Sequence, residues 1–440
     1  MKKIILIALS VVAVSSYAQQ PTGSSISVSL KQAMEEGLKN RYDVQAQKYN
    51  LAVANNTVSK NKKEWIPDIS GSATARYSPQ IQATYIPAGF LSPNPGLVAL
   101  GATSIAVLGL DLNQNIFKPA IVTDVKIAKN NLALQQEINK QNENTIKEEI
   151  VKSYLNVLLK DLQNKIAAND EQRYKEYAEV AEGKFKAGTL IENDYLKSKL
   201  DYENAKSETL KAKQSYDLAI NNIRYQINIP AETQLTLTDS LNSLFVASEQ
   251  LATKGDANNR TEIKQLILQQ EAAKLYINKT RQNALPTFSF FANYSKQFTY
   301  TNFDIGLHQW WSPFNYMGLK LSVPITSNFK NHNSIEEYKF KSMQTDLTLK
   351  QRTADINYEI QKASTDLGNT FKNMQIAKSN YELSQVIYQN QKQQYKVGSL
   401  LYSSLLDTDR TLSTTEQNYI KAVYDYLLAN VNYQKAIGNI

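Results

Sequence analysis

Phe185-Lys186-Ala187-Gly188-Thr189-Leu190 closes a long run free of glycine and proline, and Tyr395-Lys396-Val397-Gly398-Ser399-Leu400 closes a second one. The two glycines lie 398 − 188 = 210 residues apart. Other landmarks recur at nearly that interval: Trp65-Ile66-Pro67-Asp68-Ile69-Ser70 returns as Ala284-Leu285-Pro286-Thr287-Phe288-Ser289, and Asn115-Ile116-Phe117 as Pro324-Ile325-Thr326. A period this long implies two similar halves around a pseudo-twofold relation rather than a short-repeat solenoid. Each glycine motif reads as the tip between two helices. Gly188 suits the left-handed conformation that ends a helix, and Thr189 with Glu192 spells a Thr-x-x-Glu capping box for the next. Gly398 and Ser399 repeat this with a weaker box, because Tyr402 stands where the glutamate would be. A tight helical turn accounts for one copy; two copies in matching order exceed what a turn demands.

The runs that end at these motifs set the architecture. From Ala120 to Glu182 there is no glycine or proline, and roughly sixty helical residues extend for about 95 Å at ~1.5 Å per residue. The run from Ile325 to Val397 is broken only by Gly368, and shorter helical stretches cover Leu38 to Glu64, Leu190 to Ile229, Asn258 to Asn283 and Leu400 to Ile437. Val151, Leu155, Leu158, Leu162 and Ile166, and again Ile420, Val423, Leu427 and Val431, recur at helical spacing. Narrow apolar seams on long polar helices predict antiparallel coiled-coil packing.

Composition narrows the function. The 440 residues hold no cysteine and two histidines, and the net charge of +8 is spread along the chain. No basic patch or aromatic-basic motif marks a nucleic-acid binder. His308 falls in an aromatic loop and His332 near a helix start, and no phosphate-binding glycine loop occurs, so neither an enzyme nor a cofactor or metal site is expected. Residues 1–18 have the form of a signal peptide: Lys2 and Lys3, the apolar run Ile4 to Val14, then Ser16-Tyr17-Ala18, with cleavage expected after Ala18. No later run is long and apolar enough for a spanning helix, so membrane entry would have to use strands.

Strand patterns come in two pairs. Ile69, Gly71, Ala73, Ala75 and Tyr77 alternate with polar residues, and Leu108, Leu110 and Leu112 alternate with Gly109, Asp111 and Asn113. In the second half, Phe288, Phe290, Ala292 and Tyr294 form one alternating set, and Met317, Leu319, Leu321 and Val323 the other. Each is long enough, at about ten residues, to cross a bilayer when tilted. The connections Pro79 to Thr103 and Lys296 to Phe314 read as loops carrying Tyr85, Phe90, Trp310 and Trp311. A soluble sandwich would need a second sheet over the apolar face, and the chain offers none. Four strands cannot close a membrane barrel, for which about eight is the minimum, so the chain is expected to oligomerise.

Signal peptide, paired strands and repeated tips together resemble the TolC-like outer-membrane efflux protein family. Ser29-Leu30-Lys31-Gln32-Ala33, Arg260-Thr261-Glu262-Ile263 and Leu235-Thr236-Leu237-Thr238-Asp239 add to the likeness, which covers nearly the whole mature chain. The resemblance implies a mainly α fold with membrane β: a duplicated long-helix bundle with two β-hairpin insertions, assembling as a homotrimer into a helical barrel and a 12-stranded β-barrel. The repeats would be residues 19–245, with strands about 67–117, and 246–440, with strands about 286–326. It also implies an exit duct in outer-membrane lipid with its helical tunnel in the periplasm, serving drug efflux or type I secretion with a periplasmic adaptor and an inner-membrane RND or ABC transporter. The competing reading is a periplasmic coiled-coil adaptor or structural protein without its own pore. By motif position, Phe185, Gly188, Thr189, Leu190, Tyr395, Gly398, Ser399 and Leu400 would form the adaptor-docking tips. Asp407 matches an acid of the periplasmic aperture, and Asp194 and Tyr395 match members of its closing network. Leu400 stands where some members carry a basic locking residue and Ser404 where they carry a further acid, so the closing network would differ here.

Overall fold

The computed structural model describes residues 25–89, 93–248, 256–397 and 399–440. The expected signal peptide, Phe90 and Gly398 lie outside the described residues. The described residues divide into two compact units, one of residues 25–45, 143–248, 359–397 and 399–440, the other of residues 46–89, 93–142 and 256–358. Each sequence repeat contributes to both.

The first unit opens with β1 (Ser25–Val28) and α1 (Leu30–Asn40). It also holds the start of α2 (Tyr42–Lys63) and the second part of α3 (Pro119–Lys186). Then follow α4 (Glu192–Ile227), β6 (Gln234–Leu237), α5 (Leu241–Ser248), the second part of α7 (Ser327–Lys396) and α8 (Tyr402–Ala436). β1 and β6 pair in parallel, Val28 opposite Leu237. Ser29 caps α1 with a complete capping box: its hydroxyl accepts from Gln32 N at 3.3 Å, and Gln32 Oε1 accepts from Ser29 N at 2.9 Å. The core is built on the apolar stripe of α3, where Ile146, Ile150, Tyr154, Leu155 and Leu158 pack with Ile223 and Ile227 of α4 and Val423 and Leu427 of α8. Gly37 lets α1 approach this stripe, since a Cβ there would lie 2.3 Å from Ile150 Cδ1.

The second unit holds a four-stranded antiparallel sheet in the order β2 (Asp68–Tyr77), β5 (Ser104–Phe117), β7 (Thr287–Tyr300), β8 (Trp311–Ser322). The alternating sets fall in register. Leu110 stands opposite Gly71 and Tyr294, Leu112 opposite Ile69 and Ala292, Met317 opposite Ala292, and Leu319 opposite Phe290, so all four apolar sets share one face. The other face carries Ser70, Asp111 and Asn293 in one row, with Asn293 Nδ2 donating to Asp111 Oδ1 at 2.7 Å. Two expectations for the connections need correction. The first holds a small hairpin of β3 (Ala83–Ile86) and β4 (Gly96–Ala99). The second is shorter than expected, because cross-strand pairing continues past the alternating stretch: Phe298 pairs with Trp311, so Trp311 and Phe314 lie in β8. Helix α6 (Thr261–Gln282) also belongs here. Near its start Glu262 takes Arg260 Nη2 at 2.5 Å and Arg352 Nη2 at 3.3 Å.

Candidate functional site

The tips lie in the first unit. At the end of α3, Gly188 adopts φ +75°, the left-handed conformation expected of it. Its N–H reaches Phe185 O at 2.9 Å while Thr189 N–H reaches Lys184 O at 2.9 Å, the paired bonds of a Schellman cap. The hydroxyls do not cap the following helices, which corrects the expected capping boxes. Thr189 Oγ1 donates backward to Lys184 O at 3.0 Å, and Ser399 Oγ donates to Gln394 O at 3.0 Å. The next helices start at Glu192 and Tyr402 behind Ile191 and Leu401, neither of which has a side-chain oxygen to offer. At both tips the hydroxyl residue thus closes the preceding helix: the Lys184 and Gln394 carbonyls each receive a backbone N–H and a hydroxyl from Thr189 and Ser399.

Behind the tips an aromatic cluster joins α3, α7 and α8. Tyr177, Tyr388, Leu405 and Leu412 are buried, with Tyr174, Tyr381, Tyr395, Leu400 and Tyr402 packed against them. The Tyr177 and Tyr388 hydroxyls lie 2.9 Å apart. Lys184 Nζ sits 4.5 Å from the Tyr395 ring centre and 3.3 Å from its hydroxyl, and Phe185 stacks on Tyr195 at 5.2 Å. Leu400 therefore belongs to the cluster rather than to an exposed knob, and Leu190 is half-buried. Against 37% for Phe185, the most exposed large apolar side chains at the tips are Ile191 at 66%, Val397 at 79% and Leu401 at 75%. These were not picked out from sequence, although apolar residues at two N-cap positions, where Ser, Thr, Asp or Asn is the norm, were a readable signal.

Asp194, in the first turn of α4, and Asp407, on α8, are both exposed, and neither carboxylate makes a hydrogen bond or ion pair among the described residues. Tyr395 is engaged by Lys184, not by Asp194. The charged groups that the protomer brings together lie elsewhere. Arg173 Nε donates to Asp409 Oδ1 at 2.8 Å, and Arg173 Nη2 also contacts Asp170. Ser413 Oγ donates to Asp170 Oδ2 at 2.6 Å, Tyr381 Oη to Glu416 Oε1 at 3.1 Å, and Arg410 Nη2 to Asp201 Oδ1 at 3.0 Å. Burial, and then the charge of Asp170, hold the Asp409 carboxyl above its ordinary range against the pull of Arg173; burial likewise raises Glu416. Asp409 rather than the expected Asp407 carries the paired charge, and its signal in the sequence is that Leu405, Asp409 and Leu412 share the seam spacing of α8.

Two strand pairs, each inserted into one copy of a duplicated set of long helices and joined into a single sheet with one apolar face, define the protomer of an outer-membrane channel. The chain belongs to the outer membrane efflux protein family, whose model matches residues 33–228 and 257–439. It therefore serves as an outer-membrane exit duct for efflux and is not an enzyme. Solved structures share the fold. CusC, which forms a transmembrane channel, is 16% identical, with 93% of this chain and 92% of CusC covered and a TM-score of 0.73. The Campylobacter jejuni outer membrane channel CmeC is 14% identical over 93% of this chain and 85% of its own, with a TM-score of 0.73. The Neisseria gonorrhoeae outer membrane channel MtrE, in its open state, is 13% identical over 93% and 88%, with a TM-score of 0.68. No curated protein sequence matches the chain.

Proposed function

We propose that three copies of this chain form one duct, each supplying its four strands to a closed barrel in outer-membrane lipid and its long helices to a periplasmic tunnel. The observation that carries this is the sheet. Its apolar face is uncovered in the protomer, with Met317 at 78% and Leu319 at 62% exposure, and β2 and β8 each keep one edge unpaired among the described residues. In water such a sheet is an aggregation hazard; closure with other copies in a bilayer removes both edges and covers the face with lipid. The tips formed by Phe185, Gly188, Thr189, Leu190, Tyr395, Ser399 and Leu400 dock a periplasmic adaptor, with Tyr395 and Leu400 shaping the tip from behind and the exposed Ile191 and Leu401 offering the apolar contact, and the adaptor links the duct to an inner-membrane RND or ABC transporter. Exposed and unpaired in one protomer, the Asp407 carboxylate is available to ring the aperture in the trimer, where three carboxylates in a constriction would favour cations, and the exposed Asp194 joins it at that end.

Mass measurement of the detergent-solubilised chain together with planar-bilayer conductance tests the reading. A trimer that forms pores is expected; a water-soluble monomer without conductance would overturn it. Asp407→Asn should reduce cation selectivity in those recordings, and an unchanged reversal potential would remove Asp407 from the aperture.

A further inference from the structure

The Asp409 carboxylate is the most deeply enclosed charge of the tip region, with its side chain only 1% exposed. One oxygen receives Arg173 Nε; the other, Oδ2, is buried and has no hydrogen-bond partner. Arg173 cannot neutralise it fully, because the same guanidinium also serves Asp170. Three acids, Asp170, Asp409 and Glu416, surround this one arginine, and each influences or is influenced by its charge. The titratable groups that interact with the Asp409 carboxylate are Asp170, Arg173, Tyr174 and Tyr177 of α3, Lys392 of α7 and Tyr402 of α8; next to these lie Tyr388 of α7 bonded to Tyr177, the pair of Tyr381 of α7 and Glu416 of α8, and Arg410 of α8 with Asp201 of α4. Lys392 is the further cation that draws on Asp409, and its ammonium sits 5.7 Å from the Tyr388 ring centre. A buried carboxylate oxygen with no donor is costly while charged, and a proton removes that cost.

We infer that Asp409 is a proton-binding site that sets how firmly α8 is held against α3 behind the tips, with the protonated form favouring the packed arrangement and the charged form favouring its separation. The raised pKa of Asp409 agrees in sign. As pH falls, the packed form takes up a proton before a solvated carboxyl at 3.8 would, so packing gains stability toward acid and loses it as pH rises through the raised value. Glu416 is raised as well but accepts from the Tyr381 hydroxyl, so its charged form already has a donor. Burial shifts Tyr174, Tyr177, Tyr381 and Tyr402 upward, so these hydroxyls stay neutral as Asp409 titrates.

The chain has no cysteine, so a nitroxide pair can be placed cleanly at the exposed positions Lys175→Cys on α3 and Thr414→Cys on α8 of the full-length protein in detergent. Inter-label distances measured from pH 4.5 to 8.5 should be short and narrowly distributed in acid and longer or broader at high pH. Asp409→Asn should abolish this response, while Glu416→Gln should retain it. Asp170→Asn, which frees Arg173 for Asp409, should move the midpoint to lower pH by about one unit. A pH-independent distance in the parent, a response that survives Asp409→Asn, or one lost in Glu416→Gln would overturn the assignment. Conductance recorded over the same pH range rests on the duct reading. A label response without any pore would sink that reading and leave the proton site standing, whereas a pore without a label response would do the reverse.

Discussion

The Tyr154 hydroxyl donates to Asp239 Oδ2 at 2.9 Å, and the same carboxylate oxygen receives Leu30 N–H at 2.7 Å. One half-buried acceptor thus ties α3 to the start of α1 and to the segment after β6. Burial, followed by the hydrogen bond to Asp239, holds the Tyr154 hydroxyl well above its ordinary pKa, so it remains a neutral donor. Tyr154→Phe keeps the ring and removes the donor, and should destabilise the chain by about 1–2 kcal/mol in urea titration. Asp239→Ala removes the acceptor shared by the Tyr154 hydroxyl and Leu30 N–H and should cost more. Equal stability of Tyr154→Phe and parent would mean that the bond contributes nothing.

The sheet makes a two-sided expectation. Leu110 and Leu319 lie on the uncovered apolar face, whereas Asp111 and Lys320 point to the other. Leu110→Arg or Leu319→Arg should impair membrane assembly by roughly 2–4 kcal/mol near the bilayer midplane, and Asp111→Arg or Lys320→Asp should be milder. Heat-modifiable migration of the assembled trimer reads this out. Equal damage from both faces would exclude a lipid-facing alternation.

How much of this was legible beforehand follows from the range of the forces involved. The strands could be read from alternation, and the long helices from the absence of glycine and proline, because both are local patterns; the register that puts Leu110 beside Tyr294 then follows from keeping apolar residues on one face. Thr189 was assigned to the wrong helix because a hydroxyl after glycine satisfies either a donor ahead or a carbonyl behind, and only the backbone path decides. Asp407 and Asp409 are two residues apart and one is buried. That difference depends on where Arg173 arrives from a helix 236 residues away in sequence, which no local pattern encodes.

Glu262 offers an acid-stability test in the second unit. Burial pushes its carboxyl up, but Arg260, its own backbone N–H and Arg352 outweigh burial and bring it to about 2. The gap from 4.5 to about 2 corresponds to roughly 3 kcal/mol, present above pH 4.5 and lost as pH falls toward 2. Glu262→Gln should therefore be less stable than the parent by up to about 3 kcal/mol at pH 7, with the difference closing near pH 2. A difference that stays constant across that range would show that charge is not its source.

The tips separate a packing role from a docking role within adjacent residues. Leu400 packs against the Tyr177, Tyr388, Leu405 and Leu412 cluster, while Leu401 beside it is 75% exposed. Leu400→Ser should loosen the tip and lower stability by about 1–3 kcal/mol, because it removes buried apolar surface. Leu401→Ser and Ile191→Ser remove only exposed surface and should leave stability within about 0.5 kcal/mol. If these side chains are the contact an adaptor uses, both exposed substitutions should weaken site-specific crosslinking of the adaptor to the tips and reduce export while the trimer still assembles. Gly188→Val acts differently, by placing a β-branched residue at φ +75°. It should disturb the turn itself and impair docking through the turn's geometry. Crosslinking and export that are unaffected by Leu401→Ser, Ile191→Ser and Gly188→Val together would take the docking surface away from the tips.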